Sequence, residues 1–376
     1  MLSASILTLL SLSATSLAWE WEKPSKCGQS HEHKSTINYT TIGGFFLQDD
    51  AATDPKTFDY TTVNYGLINR AYPTDKEFDR HGKKTQWQRF EHYVNTLNVH
   101  ADKDTQYKVL FMARHGEGYH NAAETYYGTP AWNCYWGPLD GNGTVVWRDA
   151  RLTEPGLAQC TKAKAFWAHA LAAEKIPAPQ SYYTSPLLRS AATANLTFGD
   201  LELPRARPFK PTIKEFLREG ISIRSCDSRS SRAAIAALLP RFGFEAGFAE
   251  TDLLWRGGEG EGETGEAQLR RTRSVLDEIF ARDESTWISL TSHSGQIGVS
   301  LSVLGHRVFS LSTGQAIPVL VKARRVRHAA ATTTGAAFTS EATCLAPPVT
   351  SLAGVGCVCS GAGSVTAAPT AVVTAA

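Results

Sequence analysis

Four basic residues in this sequence lie at or just beyond the ends of short apolar segments, an arrangement that could bind and transfer a charged group. The residues are Arg114, His115, Arg189 and His293, and the segments are residues 109–113, 181–184 and 287–291. An arginine is always charged, and its planar fork matches the geometry of a phosphate. A neutral imidazole nitrogen is a competent nucleophile near neutral pH. Two arginines and one histidine therefore suit a dianionic phosphoryl group, and the other histidine can attack its phosphorus.

Buried strands must bring these residues to one place. The three apolar segments have the composition of such strands, and apolar residues recur at helical intervals in residues 83–98, 154–173 and 266–281. Alternating strands and helices predict parallel strands joined by right-handed crossovers, whose carboxyl ends share one edge of the sheet. The expected fold class is α/β, a three-layer α/β/α sandwich with a mostly parallel sheet.

Capping residues predict where two of the helices begin. Thr153 can cap a helix whose first residues are Glu154 and Pro155. Residues 185–193 open another helix, with Pro186 expected in its first turn. This second helix carries one of the two arginines, so its start should lie near the strand ends.

Several other segments have weaker patterns. Residues 41–69 are expected to be a partly ordered loop that packs its aromatic residues on the body of the domain. Residues 122–148 are aromatic and rich in Gly and Pro, and we expect a loop over the strand ends that contacts substrate. Residues 257–265 are expected to be exposed and mobile. Residues 316–321 predict the last strand, in which Pro318 indicates a sheet edge or a strand end.

The amino terminus predicts secretion. Residues 1–18 contain a short apolar run followed by Ser16 and Ala18, the small residues typical of a signal cleavage site, although no Lys or Arg precedes the run. Three glycosylation sequons agree with secretion, at Asn38, Asn142 and Asn195. We therefore expect a glycoprotein that is secreted or in the secretory pathway. A cytoplasmic location is the alternative if the segment is not a working signal.

The rest of the chain divides into a domain and a tail. Residues 19–327 are expected to form a single domain. Residues 328–376 are mainly Ala, Thr, Ser, Gly and Pro, a composition that cannot bury a useful core, so we expect them to be disordered.

Composition excludes several other classes of function. The formal net charge is only +2, which is not typical of a nucleic-acid binder, and no apolar run approaches the roughly 20 residues of a membrane span. The seven cysteines match no zinc-binding spacing, and in a secreted chain some of them could pair, with connectivity that the sequence leaves open. His31 and His33 flank a glutamate, which is more typical of a solvated surface than of a metal site. The sequence does not specify an oligomeric state.

Ordered sequence blocks around these residues resemble the histidine phosphatase superfamily, which includes the cofactor-dependent phosphoglycerate mutases. The blocks are Arg114-His115-Gly116 with Asn121, Leu152-Thr153 with Gly156, Ser185-Pro186 with Arg189 and Thr193, and Ser292-His293 with Gly295. Longer matches at residues 114–121, 132–136, 217–219 and 226–229 look like the fungal phosphomutase-like branch. The resemblance covers roughly residues 41–322 and implies a phosphoglycerate mutase-like fold.

The resemblance also implies roles for individual residues. His115 would be the nucleophile that becomes phosphohistidine, and Glu219 the acid that protonates the leaving oxygen. The phosphate would be held by Arg114, Arg189 and His293, with Asn121 as a further contact. Glu219 could instead be an ion-pair partner of a nearby arginine (Arg218, Arg224 or Arg229), and the other candidate acids are Glu215, Glu117 and Asp227. His120 is expected at the surface or behind the pocket rather than in catalysis.

These roles predict a phosphomonoester hydrolase that acts on an unidentified phosphorylated small molecule. Neither a metal nor an organic cofactor is required by this mechanism. One alternative is a phosphomutase of the phosphoglycerate mutase type, which passes the phosphoryl group to a second hydroxyl. The other is a non-catalytic, secreted binder of phosphate ligands.

Overall fold

The computed structural model describes residues 35–327, 335–348, 350–352 and 356–359. The strands are β1 Ser35–Thr41, β2 Thr105–Arg114, β3 Ser181–Thr184, β4 Pro211–Ile213, β5 Gly243–Phe244, β6 Glu261–Glu263, β7 Trp287–Ser292, β8 Ala316–Arg327, β9 Phe338–Ser340, β10 Thr350–Leu352 and β11 Gly356–Val358. The α-helices are α1 Asp75–Phe78, α2 Gln86–Val99, α3 Tyr119–Tyr127, α4 Thr129–Ala131, α5 Glu154–His169, α6 Leu188–Phe198, α7 Arg232–Leu238, α8 Gly265–Arg282 and α9 Ser294–Val303. The predicted signal segment lies outside the described residues.

The central sheet has seven strands in the order β1-β8-β2-β7-β3-β4-β5. The five neighbouring strands β2, β7, β3, β4 and β5 pair in parallel, and β8 pairs antiparallel with both β1 and β2. The prediction of a mostly parallel sheet is therefore confirmed. The parallel part contains the three strands that were predicted to carry the basic residues.

Helices cover both faces of this sheet. On one face Phe111 of β2 packs edge-on against Trp167 of α5, with ring centroids 5.1 Å apart. On the other face the ammonium group of Lys108, also on β2, lies over the ring of Phe280 of α8. Alternate residues of a strand point to opposite faces, so these contacts identify the two outer layers. The three-layer sandwich is as predicted.

The aromatic residues before α2 complete the core, as expected from the sequence. Phe46 and Tyr65 are fully buried. The Tyr65 ring stacks on Phe111 with centroids 5.5 Å apart, and Trp87 of α2 donates its indole N–H to Asn64. This irregular segment is therefore held to the sheet by aromatic packing rather than by strand pairing.

Two element predictions differ from the structure. Helix α6 begins at Leu188, so Pro186 precedes the helix instead of lying in its first turn. The reason is that the Ser185 N–H donates to the Thr291 carbonyl at 3.0 Å and continues the strand ladder. Strand β8 is also longer than predicted, and it lies inside the sheet.

Pro318 nevertheless occupies a locally open side of β8. Strand β1 ends at Thr41, opposite Val321, so no strand flanks Pro318 on that side. The Pro318 carbonyl there accepts a hydrogen bond from the side-chain amide of Gln48 at 2.6 Å. A residue without an N–H is tolerated within a sheet where one side is unpaired.

Two segments that were expected to lack structure pair with each other. Strand β6, within residues 257–265, pairs antiparallel with β9, so the predicted disorder does not extend over residues 335–348. Cys344 is buried beside Cys134 and forms a disulfide with Cys359. Neither segment has a strong hydrophobic pattern of its own. Each is ordered by pairing with the other across a long separation in sequence. Over the ranges given above, no helix is long and apolar enough to cross a membrane.

Candidate active site

Three parallel strands end at the same level at one edge of the sheet. Arg114, the last residue of β2, is paired in register with Ser292, the last residue of β7. The backbone N–H of His115 continues this ladder by donating to the Ser292 carbonyl at 3.0 Å. Strand β3 is paired with β7 so that Thr184 lies opposite Thr291. The residues after these three strands are therefore neighbours, as the parallel topology requires.

His115 is buried, and the contacts of its ring define which nitrogen carries the hydrogen. Its Nδ1–H donates to the Gly116 carbonyl at 2.7 Å, because a carbonyl oxygen can only accept. The neutral tautomer therefore carries its hydrogen on Nδ1 and has a lone pair on Nε2. Burial, followed by the charges of Arg189 and Arg114, holds the pKa of His115 well below its usual value. The imidazole of His115 is thus neutral at neutral pH, with a lone pair on Nε2.

Two glycines allow the His115 loop to cross the start of α5. A Cβ on Gly116 would lie 2.6 Å from the Gly156 carbonyl oxygen, and a Cβ on Gly156 would overlap the Glu117 carbonyl. Thr153 caps α5 as predicted, accepting from the Gly156 N–H, and its own N–H donates to the Glu117 carbonyl. The two sequence blocks are therefore the two sides of one close backbone crossing.

Arg189 is almost completely buried, with 1% of its surface exposed. Its Nη1 donates to the Cys226 carbonyl at 2.7 Å, and its Nη2 lies 3.7 Å from Oδ1 of Asp227. The helix that carries Arg189 is fixed by Asp149, whose Oδ1 accepts the N–H of Leu188 at 2.9 Å. One end of the guanidinium is therefore anchored to the protein, which orients the rest of the fork.

His293 and Arg114 are held in a similar way. Nε2 of His293 lies 2.8 Å from the Ser185 hydroxyl and 3.2 Å from the Ser190 hydroxyl. Ser185 accepts the Leu187 N–H and can therefore donate its own hydrogen to Nε2, so neutral His293 can carry its hydrogen on Nδ1. Burial and Arg189 lower the pKa of His293 well below its usual value. Arg114 donates Nη1 to the Leu311 carbonyl at 2.7 Å.

Four buried nitrogens at this edge have no hydrogen-bond partner in the part of the chain that the structure describes. They are Nε of Arg114, Nε of Arg189, Nδ1 of His293 and Nδ1 of His120. The ring of His115 is close to both histidines of this group, with its centroid 5.0 Å from the His293 ring and 5.3 Å from the His120 ring. Buried polar atoms are nearly always paired in folded proteins. A group of unpaired nitrogens of basic side chains around the His115 ring therefore indicates an anion-binding pocket.

The side chain of Glu219 lies against the start of α9, the helix that directly follows His293 in the sequence. Its Oε1 accepts the N–H groups of Gln296 at 2.9 Å and Gly220 at 3.0 Å, and its Oε2 accepts the N–H of Gly295 at 3.2 Å. The predicted alternative of an ion pair with a neighbouring arginine is not realised among the described residues. The charge of Glu219 is close enough to offset part of the effect of burial on the pKa of Arg114, which is lowered.

The other candidate acids are engaged elsewhere. Glu215 forms ion pairs with Arg218 at 3.0 Å and Arg229 at 2.8 Å. Asp227 accepts the Ser222 hydroxyl at 2.6 Å in addition to its ion pairs, and Glu117 accepts the hydroxyl of Thr153 at 2.7 Å. Glu219 thus differs from them in being held by backbone N–H groups at the strand-end edge.

Asn121 and His120 both lie in the first turn of α3. Oδ1 of Asn121 accepts the Gly118 N–H at 3.0 Å and so caps α3, and its contact with a phosphate stays a prediction. His120 is only 8% exposed and its ring lies 5.3 Å from that of His115, so of the two expected positions, at the surface or behind the pocket, the structure excludes the surface. The helix that begins directly after the Gly118 loop is the signal that could have revealed this, because its first turn must lie beside the strand end. Sequence reasoning also missed the role of Ser190 in orienting His293.

No group of three or more His, Cys, Asp or Glu residues within the described ranges is arranged to hold a metal ion. The His31 and His33 pair lies outside those ranges. Among the cysteines of the domain at residues 19–327, Cys160 and Cys226 are buried free thiols.

The chain is similar to one protein family and to several individual fungal proteins. The profile described as histidine phosphatase superfamily (branch 1) matches residues 136–313, a range that includes Arg189, Glu219 and His293. A probable phosphoglycerate mutase of Arthroderma benhamiae is 50% identical over 286 residues, which cover 76% of this chain and 84% of that protein. Phosphomutase-like protein 3 of Candida albicans is 37% identical over 217 residues, covering 57% of this chain and 65% of that protein. A probable phosphoglycerate mutase of Saccharomyces cerevisiae is 31% identical over 256 residues, covering 63% of this chain and 84% of that protein.

Proposed function

The chain belongs to the histidine phosphatase superfamily, and on that premise we propose that it hydrolyses a phosphomonoester of a small molecule through a phosphohistidine on His115. One observation supports this proposal above the others. Three unpaired basic nitrogens, on Arg114, Arg189 and His293, accompany a neutral histidine whose Nε2 carries a lone pair. An anion held by those nitrogens would lie against the nucleophile.

The first step transfers the phosphoryl group to the enzyme. The Nε2 lone pair of His115 forms a bond to phosphorus while the bond from phosphorus to the ester oxygen breaks. The charge on the three equatorial oxygens is stabilised by the arginines and by His293, which are fixed in position before the reaction begins. Preorganised charges of this kind need no rearrangement as the transition state forms.

Glu219 supplies the proton transfers in this proposal. In the first step it protonates the leaving ester oxygen, and in the second its carboxylate removes a proton from water. That water attacks phosphorus, the bond to Nε2 breaks, and inorganic phosphate leaves. The position of Glu219 beside His293, with backbone N–H groups fixing both of its oxygens, supports this assignment over Glu215 or Asp227, which are held in ion pairs.

A phosphomutase is the second candidate, and the names of two relatives favour it. A mutase would use the same phosphohistidine but return the phosphoryl group to a second hydroxyl of the substrate instead of to water. The two reactions are separated by their products, because only the hydrolase releases one inorganic phosphate for every phosphoenzyme that decays.

The test is to trap the phosphoenzyme. Brief incubation with a ³²P-labelled phosphomonoester should label the wild type with a bond that is stable in base and labile in acid. His115→Gln should not be labelled, whereas His100→Gln, a matched change at an exposed histidine, should be labelled normally. Label that persists in His115→Gln would refute the mechanism. Rates of phosphate release over sugar phosphates, phosphoglycerates, nucleotides and inositol phosphates then identify the substrate class.

Secretion remains part of the proposal. The sequon residues Asn38 and Asn142 are exposed, and Asn195 is partly exposed, which is compatible with glycan attachment. Mass spectrometry of the culture medium, with and without enzymatic removal of N-glycans, tests this. Recovery of the full chain only inside the cell, beginning at Met1 and without glycans, would contradict it.

A further inference from the structure

We propose that His120 is a fourth basic residue of the phosphate pocket and that its Nδ1 donates a hydrogen bond to the phosphoryl group that His115 accepts. This inference rests on the proposed function, because it concerns the same pocket. Neither the sequence blocks nor the mechanism above assigns a role to this side chain.

The position of His120 comes from the tight connection between β2 and α3. Helix α3 begins at Tyr119, only a few residues after the strand ends, so its first turn lies beside the His115 ring. The two imidazole rings are 5.3 Å apart between centroids and inclined by 49°. A phosphoryl group attached to Nε2 of His115 extends about 3 Å beyond the ring, so its oxygens come within hydrogen-bond range of a ring at this distance.

The atom of His120 that is available for a ligand is Nδ1. This atom is buried and has no partner in the residues that the structure describes, a property that it shares with the unpaired nitrogens of Arg114, Arg189 and His293. An unpaired buried acceptor costs less than an unpaired buried N–H, so neutral His120 carries its hydrogen on Nε2. In the free enzyme Nδ1 is therefore a lone pair that faces a cationic environment.

The charges around His120 explain how Nδ1 can change from a hydrogen-bond acceptor to a donor. Burial is the largest cause that lowers the pKa of His120, and the charges of Arg189, Arg114 and Arg224 add to it. The Glu124 carboxylate lies on the same helix, and its charge also acts on Arg114 and Arg224. A bound phosphate dianion opposes the effect of the cations, so Nδ1 can take up a proton when phosphate arrives. The resulting imidazolium donates to the dianion.

Gly118 indicates that the space beside Nδ1 is kept clear. Its backbone is extended, with φ −107° and ψ 163°, a conformation that any residue adopts, so glycine is not required there by the backbone. A Cβ at this position would lie 2.7 Å from Nδ1 and 2.8 Å from Cε1 of His120. Any other residue would cover the unpaired nitrogen or displace the ring.

A packing role for His120 predicts different results from a phosphate-binding role. His120→Asn keeps an amide nitrogen near the position of Nδ1, His120→Gln places one nearer to Nε2, and His120→Phe keeps a flat buried ring with no donor. If His120 binds phosphate, Asn should preserve affinity better than Gln or Phe. If it only packs, Phe should be the best tolerated of the three.

The assay is calorimetric binding of inorganic phosphate to the intact, folded protein, so it does not depend on turnover. A hydrogen bond to a charged group is worth roughly 10- to 100-fold in affinity, so His120→Phe should weaken phosphate binding by about that factor. His120→Asn should stay within about threefold of wild type. Gly118→Ala should reproduce most of the loss with His120 unchanged. His100→Phe is the surface control.

Proton uptake gives a readout that packing alone would not move. Titrations in two buffers of different ionisation enthalpy should show that the wild type takes up more protons on binding phosphate than His120→Phe does. Equal uptake with equal affinity would overturn the inference, as would equal losses in the Asn, Gln and Phe variants. If phosphate binding depends on His120 but no phosphoenzyme forms, the proposed function fails, while the placing of His120 in the phosphate pocket stands. If His120→Phe forms a normal phosphoenzyme and binds phosphate as the wild type does, the inference fails while the proposed function stands.

Discussion

Gly295 offers a way to move the proposed acid without touching it. This glycine is the second residue of α9, and its N–H donates to Oε2 of Glu219. A Cβ at this position would lie 2.5 Å from Oε1 of Glu219, whereas ordinary contacts begin at 3.4 Å. Gly295→Ala must therefore push the carboxylate back by roughly 0.9 Å, a displacement on the scale that disrupts catalytic geometry.

The expected effects on rate and on stability have opposite signs. Misplacing a reacting group by about 1 Å can cost on the order of 10²-fold, and general acid–base catalysis contributes about 10²- to 10⁴-fold. We therefore expect kcat to fall by about 10²-fold in Gly295→Ala. Alanine is a better helix former than glycine by up to about 1 kcal/mol, which offsets the cost of moving the carboxylate, so the fold should remain intact. Affinity for inorganic phosphate should change little, because the phosphate-binding side chains are not contacted.

The matched control is Gly298→Ala in the same helix. A Cβ on Gly298 meets no atom within 4 Å, so this variant makes the same chemical change without a clash. Steady-state kinetics with the best substrate, together with urea unfolding, should show wild-type activity and equal or higher stability for Gly298→Ala. A wild-type kcat in Gly295→Ala would show that the position of Glu219 does not limit turnover, and the acid would have to be sought elsewhere.

Three further predictions concern buried charged groups. Because the pKa of His115 is well below its usual value, kcat/KM for an aryl phosphate should stay level from pH 7 to below pH 6, and a half-maximal fall near pH 6.5 would contradict this. Asp149 accepts the N–H groups of Leu188 and Ser230, and its φ of +40° is one that asparagine also adopts. Asp149→Asn should therefore leave one N–H unpaired and lower the free energy of unfolding in urea by about 1–3 kcal/mol. A change below about 0.5 kcal/mol would refute the role of Asp149 in fixing the start of α6. Burial lowers the pKa of Lys108 to about 8, so the unfolded chain binds more protons than the folded chain between pH 8 and about 10.4. The free energy of unfolding of the wild type should therefore rise with pH relative to that of Lys108→Met across this window. Parallel stability curves for the two proteins would show that the pKa of Lys108 is not lowered.

Local patterns were sufficient for most of the elements that position the site. Helix α5 begins at the capping Thr153 as predicted, since a threonine hydroxyl can satisfy an N–H of the first turn whatever surrounds it. Strand β3 spans the predicted residues 181–184. Strand β7 ends one residue beyond its prediction, at Ser292. These elements are set by short-range capping and by apolar content, both of which are visible along the chain.

Long-range pairing defeated the same reasoning in three places. Strand β1 was not predicted, and its partner β8 runs six residues further than expected, because each is defined by the other across most of the chain. The pairing of β6 with β9 likewise orders two segments whose compositions suggest a loop and a tail. Composition indicates how much apolar surface a segment can bury by itself, but it does not indicate whether a distant strand will pair with that segment.

The sequence by itself determined that arginines and histidines follow strands, and hence that a phosphate pocket should form at their carboxyl ends. It also singled out His115 as the candidate nucleophile, while Glu219 was implied by the family resemblance. Only the tertiary structure decided which nitrogens remain unpaired, which tautomer His115 adopts, that Glu219 is held by the start of α9, and that His120 faces the nucleophile. The physical reason is that protonation and hydrogen bonding depend on burial and on neighbours a few ångströms away. Some of those neighbours are close in sequence, as Gly116 is to His115, and others come from distant elements, as Gln296 lies 77 residues from Glu219.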